Sequence, residues 1–109
     1  MNFDEYQKQS RTTAVYPNQG SNFVYPVLGL AGESGEVAEK IKKVIRDKNG
    51  LIDEQTRADL AKELGDVLWY VSQLATELNL SLSQVAENNL KKLFERQARG
   101  MIHGSGDNR

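Results

Sequence analysis

The chain has no cysteine and a single histidine, His103. Without thiols there is no disulfide framework, no thiolate nucleophile and no thiolate metal ligand. One histidine also excludes a ferritin-like di-iron bundle, which needs a Glu-x-x-His pair from each of two helices. The two prolines, Pro17 and Pro26, fall early in the chain, so nothing later forbids a long helix. No apolar run approaches the ~18 residues of a membrane span. The opening Met1-Asn2-Phe3-Asp4-Glu5 is acidic and lacks the basic and apolar regions of a secretory signal. A cytoplasmic setting with no membrane partner is therefore expected. An excess of one charge is missing as well, because 14 Lys and Arg against 15 Asp and Glu leave a formal net charge of -1. A nucleic-acid polymer, whose binding needs a concentrated basic surface, is not an expected partner.

What is present is helical periodicity. Asn2, with Glu5 three residues on, marks the start of a helix over about Phe3 to Ala14. Pro17 and Gly20 break the chain, and a second helix is predicted to begin between Asn22 and Val27, since Pro26 is tolerated in a first turn only. It runs to about Asp47, where Asn49-Gly50 supplies a stop. With Asp53 or Thr56 as cap, a third helix extends from about Thr56 to Leu78. Its Leu60, Leu64, Val67, Leu68, Val71, Leu74, Ala75 and Leu78 recur at the spacing of a buried stripe. Beside that stripe runs a polar line of the same period, Asp59, Glu63, Asp66, Tyr70 and Gln73. Ser81 with Gln84 opens a fourth helix to about Gln97, and Gly100 to Arg109 reads as an irregular tail. The fold class is all-α: a four-helix-type bundle with two long central helices, one domain over residues 1–109. So small a domain leaves much surface uncovered, and assembly with other copies is expected.

The chemistry lies in two acid pairs, Glu33 with Glu36 and Glu63 with Asp66. Residues three apart on a helix share a face, so each pair presents two carboxylates together. No Lys or Arg lies within residues 31–37 to offset the first pair. Gly29, Ala31, Gly32, Ser34 and Gly35 crowd it, and Gly65 sits inside the second, although a glycine inside a helix costs about 0.5–1 kcal/mol against alanine. Small residues there allow a backbone or a ligand to come close. Leu64, Val67, Leu68 and Trp69 put the second pair beside apolar surface, where carboxylates need a proton or a metal. Two such faces brought together make an oxygen-lined site for Mg²⁺, a hard cation commonly shared with phosphates.

The run Gly29-Leu30-Ala31-Gly32-Glu33-Ser34-Gly35-Glu36-Val37-Ala38-Glu39-Lys40, followed by Lys62-Glu63-Leu64-Gly65-Asp66-Val67-Leu68-Trp69-Tyr70, resembles the MazG family of nucleoside triphosphate pyrophosphohydrolases. That family belongs to an all-α superfamily with dimeric dUTPases and phosphoribosyl-ATP pyrophosphohydrolases, and the likeness extends from about residue 23 to the carboxyl terminus. The resemblance implies that Glu33, Glu36, Glu63 and Asp66 are Mg²⁺ ligands on the two central helices of a homodimer or homotetramer. It implies hydrolysis of an NTP or dNTP, non-standard nucleotides included, to the monophosphate and pyrophosphate. Glu33 or Glu36 is then the acceptor of the water proton. Phosphate-contacting candidates are Lys92 and Arg96, one turn apart on the fourth helix, with Asn89 on the same side. Trp69, Tyr70 and Phe23 are candidate stacking surfaces for the base, and the tail ending in Arg109 is a candidate cover for the phosphates. Two rival readings keep the helices but drop the chemistry: a nucleotide-sensing or protein-binding helical module, and a solvated acidic patch with no ligand.

Overall fold

A computed structural model describes residues 1–100 and 103–108 of the chain. Four helices follow one another: α1 (Phe3–Arg11), α2 (Val24–Asp47), α3 (Glu54–Glu77) and α4 (Leu82–Ala98), and the described residues include no strand. No helix is long and apolar enough to cross a membrane among the described residues.

Local side-chain chemistry sets the helix ends. Asn2 Oδ1 accepts the Glu5 backbone N–H at 2.9 Å and opens α1. That helix stops at Arg11, short of the expected Ala14, because the Thr12 and Thr13 hydroxyls donate back to the Gln9 and Ser10 carbonyls at 2.6 Å. Such bonds compete with continued helix, and Pro17 lies ahead. Asp53, not Thr56, caps α3: its carboxylate accepts the Thr56 N–H at 2.8 Å, so the helix starts at Glu54. Ser81 Oγ accepts the Gln84 N–H at 3.2 Å to open α4, while the Gln84 amide turns to Asn88 and leaves the capping box half made. Between α2 and α3 the chain turns through Asn49 and Gly50, both in the left-handed region at φ 54° and 77°.

α2 and α3 pair along their length. Gly29 meets Tyr70, Glu33 meets Asp66 and Lys48 meets Thr56, an order that makes the two helices antiparallel. α1 lies on α3, and α4 packs on α1 and α3 but not on α2.

The expected burial of the α3 apolar stripe is not what the fold shows. Leu64 is 58% and Leu78 49% exposed, and only Ala75 of that stripe is fully buried. Instead Ser72 and Gln73, at 0% exposure, occupy the interior. Ser10 and Ser72 share a hydroxyl hydrogen bond of 3.0 Å, and Gln73 donates to Ser10 and accepts from Arg11. The polar line of α3 faces α1 and α2, so within one chain the apolar line has too little to pack against.

Candidate metal and nucleotide site

Because α2 and α3 run antiparallel, their acidic turns meet midway along the groove between them. One carboxylate oxygen from each of Glu33, Glu63 and Asp66 lies within 4.8 Å of the others. Glu33 and Glu63 are half-buried and Asp66 is exposed. The Glu33 carboxyl is pushed above its ordinary range by burial first, then by a hydrogen bond shared with Glu63 and by the negative charges of Asp66, Glu63 and Glu36. Three carboxylates this close repel one another when charged, and a cation bound among them would offset that repulsion. An all-carboxylate oxygen set, open on the Asp66 side, fits a hard divalent ion that keeps part of its water shell.

Glu36 is exposed and stands outside the three-acid set, although its charge bears on Glu33. Lys40 reaches the cluster: its Nζ lies 3.8 Å from Glu63 Oε1. Residues 31–37 hold no cation, but Lys40 is one turn beyond Glu36 and so on the same face. Of the glycines around the acids, Gly29 is the one whose missing Cβ matters within the chain, since a Cβ there would collide with the Tyr70 ring. Gly32, Gly35 and Gly65 face open space.

An aromatic row closes one end of the groove. Tyr16 and Tyr25 stack with centroids 4.8 Å apart, Tyr25 lies 6.5 Å from Tyr70, and Trp69 meets Tyr70 edge-on at 5.0 Å. The Tyr70 ring lies over Gly29, one turn before Glu33, and burial, then Tyr25 and the charge of Glu33, raise its hydroxyl pKa. Trp69 Nε1 donates to Thr13 Oγ1 at 2.9 Å, and Phe23, before α2, is 57% exposed.

The segment carrying Tyr16 is anchored by a residue with no signal in the sequence. Glu77 accepts hydrogen bonds from the Arg11 guanidinium at 2.9 Å, the Tyr16 hydroxyl, and the backbone N–H groups of Gly20 and Asn22 at 2.9 and 2.7 Å.

The α4 cations are placed apart from the acids. Lys92 Nζ donates to Asp107 Oδ1 at 2.8 Å, and the buried Arg96 bonds the Asp107 carbonyl and carboxylate. Lys92 first, then Arg96, hold the Asp107 carboxyl below its usual range. Asn89 is exposed on the same helix, and Arg109 lies outside the described residues.

Residues 26–101 match the family model described as the MazG nucleotide pyrophosphohydrolase domain. The chain is 50% identical over 114 aligned positions to the Gene 37 protein of Mycobacterium phage L5, with the whole of both chains covered. No solved structure matches it.

Proposed function

The chain belongs to the MazG nucleotide pyrophosphohydrolase family, and from that premise we propose that it hydrolyses a nucleoside or deoxynucleoside triphosphate to the monophosphate and pyrophosphate with Mg²⁺. The observation that carries the reading is the convergence of Glu33, Glu63 and Asp66 across two helices. Partly buried like charges are costly, and a fold that holds them together favours a ligand that offsets them.

Glu33, Glu63 and Asp66 would hold the ion, which would supply charge neutralisation for phosphate oxygens and acidify water. Glu36, exposed one turn from Glu33, would accept the proton of the attacking water. Tyr70, with Trp69 edge-on to it, and the exposed Phe23 are the ring surfaces available to the base. Positioning and charge compensation then supply most of the rate enhancement.

Self-association belongs to the same proposal. The Cα radius of gyration is 16.8 Å, against about 13 Å for a compact domain of this size. The accessible surface is 7797 Å², where a compact monomer of this mass exposes about 6,100 Å². A homodimer or homotetramer removes that excess. Since α4 does not pack on α2, Lys92, Arg96 and Asn89 serve as phosphate contacts only if the assembly carries them to another copy's acids.

The test is a panel of nucleotides incubated with Mg²⁺ or with chelator, with products identified. Pyrophosphate and monophosphate appearing with Mg²⁺ alone is the expected result. Nucleotide binding without product would instead favour a sensing module.

A further inference from the structure

The groove between α2 and α3 does not end at the acids. Past Glu63, towards the hairpin turn, it widens into a cavity of about 270 Å³ floored by Val44, with Lys40, Lys43, Asp47 and Lys48 on the α2 side and Thr56 and Asp59 opposite. Lys40 forms the boundary with the acid cluster through its approach to Glu63. Lys48 is fixed at the far wall, where its ammonium donates to Asp53 and to the Thr56 hydroxyl at 2.9 and 3.0 Å. Lys43 lies between them, three residues after Lys40 and so on the same face of α2, and has no ion pair within 4 Å among the described residues. Two carboxylates share the recess and are partly spent: Asp47, one turn beyond Lys43 on α2 and within reach of its charge, takes two hydrogen bonds of 2.8 Å from Arg46, and Asp59 on α3 accepts from Gln55 at 3.0 Å.

The groove therefore has an order along its axis, with tyrosines at one end, the acid cluster in the middle and, at the other, three lysines set among Asp47, Asp53 and Asp59. A ligand matching that order carries a ring, then metal-bound oxygens, then further negative charge. We propose that the lysine recess seats the pyrophosphate half of the substrate, so that the nucleotide lies along the groove with its base towards Tyr70 and its terminal phosphates beside Lys40 and Lys43. This assignment rests on the pyrophosphohydrolase reading. It also supplies phosphate contacts from the same chain that holds the acids, which α4 does not.

Magnesium pyrophosphate is the probe. Calorimetric titration into the wild-type protein and into Lys43→Gln and Lys43→Arg is paired with KM for the best nucleotide and inhibition by its monophosphate. Lys43 is exposed and without an ion pair, so its replacement leaves the helices intact. The expected result is pyrophosphate binding weakened about tenfold in Lys43→Gln, with KM raised by a similar factor, monophosphate inhibition unchanged and binding retained by Lys43→Arg. Equal pyrophosphate binding by wild type and Lys43→Gln, or none by wild type, overturns the assignment even where nucleotide is hydrolysed. Lys43-dependent pyrophosphate binding in a protein that hydrolyses no nucleotide supports the recess and removes the activity instead.

Discussion

The carboxylate of Glu77 is 1% exposed and is reached by Arg11, Tyr16, Gly20 and Asn22. Burial alone would raise its pKa, but the Tyr16 hydroxyl, the two backbone N–H groups and Arg11 outweigh that and hold it at about 2, against 4.5 for a free glutamate. A folded pKa below the unfolded one means the folded state binds fewer protons, so this stabilisation is complete above pH 4.5 and fades as pH falls towards 2. Glu77→Gln is expected to lose about 2–3 kcal/mol at neutral pH in denaturant unfolding, with the deficit shrinking across that acid window. A deficit that stays constant with pH would assign the loss to packing rather than charge. Glu77 was not legible in the sequence, because its partner Arg11 is 66 residues away and the link exists only once α1 has docked on α3. The acids Glu33, Glu63 and Asp66 were legible for the opposite reason. Each pair is defined within one helical turn, and only the meeting of two turns had to be supposed.

At the scale of elements, boundaries were readable wherever a side chain caps its own helix. Asn2, Asp53 and Ser81 each accept the N–H three residues on. The period of α3 was equally plain, with an apolar line and a polar line side by side. Which line turns inward was not, because periodicity specifies faces and not the neighbours they meet. Within the chain the polar line took the interior, through Gln73 towards α1 and Glu63 towards α2. Leu64, 58% exposed beside the acids, is the part of that line which the proposed self-association would cover. Sedimentation is expected to find wild-type protein as an oligomer, and Leu64→Lys shifted towards monomer with its helix content preserved. Wild-type protein sedimenting as a compact monomer would contradict this use of the stripe.

For the molecule as a whole, charge and distance arrange three zones along one groove and a fourth on α4. The placement of Lys92 and Arg96 against Asp107 depends on the segment after α4 turning back along that helix, which no helical period encodes. Lys40 and Lys43, by contrast, share α2 with Glu33 and owe their position to the same helix pairing that gathers the acids. The α2/α3 hairpin is thus the unit that relates sequence to chemistry, and α1 and α4 brace it. The measurement that bears on this most directly is Mg²⁺-dependent pyrophosphate release by wild-type protein, Glu33→Gln and Asp66→Asn, with helix content followed by circular dichroism. Release by wild type and a loss of at least about a hundredfold in each folded variant are expected. Undiminished release by both variants would contradict the assignment of these acids.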